Sequence, residues 1–353
     1  MKNRVGIYII LSLFYFVGAK GQDMHFSQFY ANPLYLSPSL AGATDGGRLI
    51  MNYRNQWPAI NEAFSTASVS FDNFFSSFNS GIGFYLIQDK AGSAGLTTTQ
   101  AAFQYSYNLL LSSDWQVIPA IQFSYGNKAV DFSKIIFPDQ PPGSGGGSGS
   151  WGRLTNDQVQ YIDLAASVFF YSSKYWMGLT VDHLAKPNYS FMNEKAEVDL
   201  KYVVFGGYNI WTERRRNKGM NRAFSTSFRY QNQANQNQLD VGLYWYNGPL
   251  ELGFWYRGLP IFNEAKSSAV NQDAIVALLA YDFGMVRVGY SYDITISNLG
   301  WATQGAHELS MIFEFNQKGN LRMGGKRPAV PCSETANPNS SGGKYRKKRR
   351  RIF

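Results

Sequence analysis

The sequence predicts an all-β fold: a transmembrane antiparallel β-barrel of about fourteen strands, with an N-terminal segment in the lumen or periplasm and a disordered basic C-terminal tail. Three observations predict it. Strand-like segments follow one another from residue 47 to residue 316, most with apolar and polar positions alternating. The gaps between them alternate short and long, as the turns and loops of an outer-membrane barrel do. A secretory leader precedes them all.

The leader spans residues 1–21. Lys2 and Arg4 give the positive start, Ile7 to Val17 the apolar stretch, and Ala19-Lys20-Gly21 the small residues of a cleavage site, so the mature chain is expected to begin at Gln22. The stretch is too short to cross about 30 Å of hydrocarbon as a helix. The leader contains no cysteine, which argues against a lipid anchor. Residues 22–45 carry too many prolines and polar groups for a lipid-facing strand, and are read as a plug or periplasmic cap.

The barrel is placed at residues 46–320. Its strands are expected near 47–54, 64–73, 79–89, 97–109, 115–127, 159–171, 175–185, 198–211, 222–232, 238–247, 250–257, 273–283, 285–294 and 306–316. Ala101, Phe103, Tyr105, Tyr107 and Leu109 alternate with Ala102, Gln104, Ser106 and Asn108; Leu252, Phe254 and Tyr256 alternate with Glu251, Gly253 and Arg257. Lipid cannot hydrogen-bond an open strand edge, so such strands must close on themselves. With a periplasmic start, the odd gaps are the outer loops, and the even strand count puts both termini in the periplasm of a Gram-negative outer membrane. The gap near 212–221 is long for its side and the gap near 233–237 is short. The longest gap, near 128–158, is rich in Gly, Ser and Pro. Its formal G-x-G-x-x-G at Gly147, Gly149 and Gly152 lacks the strand-to-helix turn that a dinucleotide site requires.

Aromatic residues are 16% of the chain and charged residues 16%, with mean hydropathy −0.27. A chain that is not apolar on average yet rich in Tyr and Phe suits strands with one lipid face and one inner face. The net charge of +9 is local. It sits in a tail, residues 321–353, ending in Lys344-Tyr-Arg346-Lys347-Lys348-Arg349-Arg350-Arg351. The remainder sums to zero, so nucleic acid is not an expected partner. Cys332, the one cysteine, also lies in the tail, and no intrachain disulfide is possible.

No catalytic, metal or cofactor pattern emerges. His25, His183 and His307 form no H-E-x-x-H or similar array. A lipid-modifying barrel enzyme would need a serine beside His183 or His307, for example Ser291 or Ser310. Asp72, Asp89, Asp240, Glu251, Arg257, Asp282, Arg287, Asp293, Glu308 and Glu314 fall on or near polar faces. They are read as cross-strand pairs, or as the lining of a passage or plug.

Five stretches carry a resemblance. Residues 22–42, Gln22 through Gly42, resemble the mature start of the PorP/SprF family of Bacteroidetes. Asn52-Tyr-Arg-Asn-Gln-Trp-Pro58, Asp182-His-Leu-Ala-Lys-Pro187, Ser291-Tyr-Asp293 and Gly305-Ala-His-Glu-Leu-Ser310 are similar to its later blocks, in family order. The resemblance implies a non-enzymatic outer-membrane component of the type IX secretion system, linked in part of the family to gliding motility, that helps deliver or anchor secreted surface proteins. The implied partners are surface-protein or adhesin cargo, the outer-membrane translocon, periplasmic ring or peptidoglycan-linked proteins, and outer-membrane lipid. Candidate partner-binding residues are Asn52, Tyr53, Arg54, Asn55, Gln56 and Trp57 at the outer rim, and Lys344, Arg346, Lys347, Lys348, Arg349, Arg350 and Arg351 in the tail. Plug-and-rim support is the other reading of the rim block. A porin or hydrophobic-solute channel is the alternative function.

Overall fold

The computed structural model describes residues 23–44, 46–60, 64–92, 95–112, 114–131, 157–172, 174–191, 194–214, 221–234, 236–259, 271–296 and 303–316. The leader, the basic tail with its candidate residues, Cys332 and the Gly/Ser run lie outside them. Fifteen strands form one antiparallel sheet: β1 (Gly46–Gln56), β2 (Phe64–Phe75), β3 (Ser80–Ala91), β4 (Leu96–Tyr107), β5 (Leu109–Leu110), β6 (Gln116–Ala129), β7 (Gln158–Tyr171), β8 (Tyr175–Asp182), β9 (Lys201–Arg214), β10 (Asn221–Gln233), β11 (Gln236–Asn247), β12 (Leu250–Leu259), β13 (Asn271–Asp282), β14 (Val286–Thr295) and β15 (Ala306–Asn316).

β5 continues β4 past Asn108 on the same neighbour, since Ser106 pairs with Ala120 and Leu109 with Val117. The wall therefore has 14 staves. Each stave pairs with its neighbours in sequence, and β1 closes the ring on β15, with Gly46 opposite Asn316 and Gln56 opposite Ala306. Closure removes every free edge, which an acyl environment would leave unsatisfied.

The connections segregate by end. Residues 130–157, 183–200, 260–270 and 296–305 join strands at one end; 76–79, 172–174, 248–249 and 283–285 join them at the other. The gap expected to be long near 212–221 shrinks to 215–220, because β9 and β10 run further than their apolar pattern. β8 stops earlier than expected, at Asp182, because His183 takes a positive φ of 63° and turns its ring inward.

Side chains alternate across the wall. Phe103 and Tyr105 are 41% and 39% exposed on the outside, while Gln104 between them is fully buried in the lumen. Phe254, Leu252, Leu279, Ile121 and Ile162 continue the apolar exterior. The inner face is aromatic toward the short-turn end: Phe169, Tyr171, Trp176, Phe205, Tyr244 and Trp255 belong to one buried cluster. Gly242 faces Trp255, and any Cβ there would overlap the indole.

Residues 23–44 run through this lumen. Pro33 and Pro38 each open a short helical turn, Pro33–Leu36 and Pro38–Leu40, where the missing N–H costs nothing. Phe29, Leu36 and Leu40 join the aromatic cluster, and Leu34 and Phe26 pack on Tyr85 and Ile87. Burying each such side chain contributes about 1.5–3 kcal/mol.

Candidate functional site: the grip on the lumen segment

A segment with so little regular structure inside a barrel leaves backbone groups that need partners. The wall supplies them. Gln104 Nε2 donates to Leu34 O at 2.6 Å, Ser106 Oγ to Ala41 O at 2.8 Å, and Asn52 Nδ2 to Ala31 O at 3.3 Å. Ser39 N donates to Ser167 Oγ at 2.9 Å, and Gly42 N to Asp72 Oδ2 at 2.8 Å. Asp72 also receives Arg48 Nε at 2.9 Å.

Nearer the long loops, six charged side chains form one chain of ion pairs. Glu308 takes Arg54 Nη1 at 3.2 Å, and Arg54 Nη2 reaches Asp293 Oδ2 at 2.9 Å. Asp293 takes Arg257 Nη1 at 3.1 Å, and Arg257 Nε reaches Asp240 Oδ1 at 3.2 Å. Arg229 closes on Asp240 through Nε at 2.8 Å and a second, shorter Nη2 contact. Three guanidinium groups balance three carboxylates, and all six are buried. A β-bulge at Arg257/Gly258, with Gly258 at φ 147°, lies beside this chain.

Ser27 sits at its centre. Its hydroxyl accepts from Arg54 Nη1 at 2.5 Å and Arg257 Nη2 at 2.7 Å, and donates to Asp293 Oδ2 at 2.5 Å. The backbone N–H groups of Ser27 and Gln28 donate to the two oxygens of Glu308 at 2.7 and 3.1 Å. Gln28 Nε2 donates to Ser291 Oγ at 3.1 Å, and Ser310 Oγ to Gln28 Oε1 at 2.6 Å. Below lies a void of about 20 Å³ lined by Gln28, Tyr30, Trp176 and Arg287, room for about one water.

A second latch holds Asp23. Its Oδ2 lies 2.9 Å from His183 Nε2 and 3.1 Å from Lys201 Nζ, while His183 Nδ1 is 2.7 Å from Asp163 Oδ2. Burial pushes the Asp23 carboxyl up, but Lys201 and His183 outweigh it and hold it well below the usual carboxylate range. Burial lowers His183, but Asp23 and Asp163 raise it to about 10. His25 goes the other way: burial first, then Arg257, Arg229 and Arg54, hold it well below the usual imidazole range. Its neutral ring accepts from Arg229 Nη2 at 3.1 Å.

Above the latch opens a vestibule of about 590 Å³ at the long-loop end, floored by Met24, His25 and Tyr35.

The rim block splits by parity. Asn52 and Arg54 point inward and serve the lumen segment; Gln56 accepts from Arg54 Nη2 at 3.3 Å. Tyr53 is 51% exposed on the outer wall. Trp57 turns at φ 58°, donates its N–H to Gly305 O at 2.7 Å and packs edge-on against Phe64. Asn55 is partly buried. Of the polar-face charges, Asp240, Asp293, Glu308 and Arg257 meet in the chain of six, and Glu251 pairs with Arg287 at 3.2 Å. The sequence reading missed Asp23, Ser27, Asp163, Lys201 and Arg229. The signal was their charge or hydroxyl at inward or pre-strand positions, which reveals no partner until the strands are arranged. Among the described residues no histidine bonds a serine hydroxyl; His307 Nδ1 lies 2.8 Å from Tyr290 OH on the outer side.

Geometry thus defines a plugged, closed outer-membrane β-barrel whose inner charges are committed to a segment of its own chain. The chain belongs to the PorP/SprF family, described as type IX secretion system membrane proteins, whose model matches residues 18–313. The five stretches carrying the resemblance converge in the fold: one is the lumen segment, and the others supply Asn52, Arg54, His183, Ser291, Asp293, Glu308 and Ser310 to hold it. No curated protein matches the chain. Among solved structures it is similar to the outer membrane protein Omp33 of Acinetobacter baumannii (9% identity, 78% of this chain and 100% of that chain, TM-score 0.40). It is also similar to an engineered porin of Rh. blastica (10% identity, 76% and 98%, TM-score 0.33) and to the KdgM porin (8% identity, 76% and 99%, TM-score 0.34).

Proposed function

We propose that this chain is a sealed, non-enzymatic scaffold of the type IX secretion system that helps deliver secreted surface proteins, adhesins among them, or anchors them at the cell surface. The observation that carries the reading is the lumen segment. A barrel that spends three arginines, three carboxylates and a row of luminal amides on holding residues 23–44 in place is built to stay filled. A filled barrel presents its two ends to partners and passes no solute through its middle. In this reading the long loops face outward toward cargo, and the basic run 344–351 faces periplasmic components or an anionic surface. The test is deletion of the gene followed by a census of surface and medium proteins. Loss or shedding of a surface protein is the expected result, and an unchanged surface proteome overturns the reading.

A further inference from the structure

We propose that the lumen segment carries the free N-terminal end of the mature chain across the membrane to the cell-surface mouth of the barrel, while the basic tail stays at the opposite, periplasmic mouth. The inference rests on the reading of the long loops as external, given above, and of residues 1–21 as a removed leader. An even number of staves returns the chain to its starting side, but only from residue 46 onward. β1 begins at Gly46 and β15 ends at Asn316, its partner, both at the short-turn end. Residues 23–44 make one more crossing before β1 begins. The two ends of the mature chain thereby part company, one beside the long loops and one beside the short turns.

The direction of that crossing is fixed at both of its ends. At the long-loop end Asp23 meets His183, which follows β8, and Lys201, which opens β9. Its Oδ1 also accepts from Nε2 of Gln233, which closes β10, at 3.4 Å. Ser27 then meets Arg54 and Asp293, close to the long-loop ends of β1 and β14. Leu34 comes against Gln104 further down. At the short-turn end Ala41 O accepts from Ser106 Oγ, and Gly42 N donates to Asp72. Gly81, at the start of β3, shapes the exit: a Cβ on it would stand 2.1 Å from Ala41 O. Gly42 takes φ 66° at the same point, a conformation that glycine adopts without steric cost. One peptide unit, about 3.8 Å between Cα atoms, separates Asp23 from Gln22. The expected first residue of the mature chain therefore stands at the vestibule, not at the mouth where the strands begin and end. Phe26, Phe29, Leu34 and Leu40 are buried along the path. Side chains of this bulk do not slide through a close-packed interior, so the wall closes around the segment as the barrel assembles.

Cysteine labelling on intact cells tests this, with a polyethylene-glycol maleimide too large to cross the outer membrane and a band shift as the readout. The chain supplies its own reporter for the tail, since Cys332 is its one cysteine. In the parent, Cys332 is expected to react only after lysis. Three variants carry Cys332→Ser and one new cysteine each: Gln22→Cys at the expected free end, Met24→Cys in the vestibule floor, and Lys195→Cys on the exposed β8–β9 connection. A retained heat-modifiable gel shift shows that each variant folds. Lys195→Cys is expected to react on intact cells, and so is at least one of Gln22→Cys and Met24→Cys. Reaction at Lys195→Cys with none at either N-terminal position overturns the crossing and leaves the orientation of the loops standing. Protection of Lys195→Cys on intact cells, or reaction of the parent's Cys332 there, overturns the proposal as well. The scaffold reading is judged separately, by whether gene deletion sheds a surface protein, so it stands or falls independently of these labels.

Discussion

Arg54, on the first strand, donates to the hydroxyl of Ser27, on the lumen segment, at 2.5 Å while its other nitrogen pairs with Asp293 at 2.9 Å. One guanidinium thereby ties the closing seam of the barrel, the plug and a strand from the far end of the sequence. Arg54 is 3% exposed, so none of these contacts is shared with bulk solvent.

Removing Arg54 leaves Glu308 and part of Asp293 buried without their counter-charge. Arg54→Ala is expected to destabilise the barrel by about 3–5 kcal/mol, the usual cost of breaking a buried pair from one side. Ser27→Ala removes a hydroxyl but no charge and is expected to cost about 1–3 kcal/mol. Denaturant unfolding in detergent, followed by heat-modifiability, checks both. Equal effects would show that the charge chain is indifferent to its arginine.

The two histidines give opposite pH limbs. His183 has a folded value of about 10, above the unfolded value of about 6.5. Its stabilisation is complete below about pH 6.5 and is lost as pH rises through about 10. His25 is depressed, so the unfolded chain takes up the proton more readily, and stability falls as pH drops through about 6.5. Asp23, depressed as well, stabilises fully above about pH 3.9 and loses its contribution as pH falls below that. Unfolding midpoints across pH should flatten on the alkaline side in His183→Gln and on the acidic side in His25→Asn. Parallel curves for variant and parent would remove the latch from the pH response.

Phe254 is 60% exposed at mid-strand in β12, among Leu252 and Leu279. If it lies near the bilayer midplane, Phe254→Arg is expected to destabilise the barrel in lipid by about 2–4 kcal/mol. The same substitution in a mild detergent should cost less. A neutral result in lipid would invert the inside and outside faces at this strand.

The lumen segment also predicts an electrical property. Purified protein in a planar bilayer is expected to pass no steady ion current, since the lumen segment fills the barrel, with Leu34, Ser37, Ser39 and Leu40 fully buried. Sustained conductance would favour the channel reading over the scaffold.

Truncation after residue 330 should leave the barrel folded, because the described strands end at Asn316, and should impair secretion or assembly if the basic run engages a periplasmic partner. Normal secretion by the truncated chain would assign the tail no such role.

Much of this molecule is fixed by local pattern. Period-2 alternation in stretches such as Ala101–Tyr107 orients each side chain as soon as the segment becomes a strand, and lipid's inability to hydrogen-bond forces those strands to close. Strand number, order of staves and lipid face were therefore legible residue by residue. The grip on the plug was not. Arg54, Arg229 and Arg257 all read as inward polar positions, yet their matching to Glu308, Asp293 and Asp240 depends on strand stagger and on the bulge at Gly258. Neither is encoded within any one strand. The rim block shows the same division: its sequence marks it as special, but only the fold sends Asn52 and Arg54 to the plug and leaves Tyr53 to lipid. Contacts such as Ser27 to Asp293 join residues 266 positions apart. No pattern local to the chain specifies such a pair, because tertiary closure brings its members together.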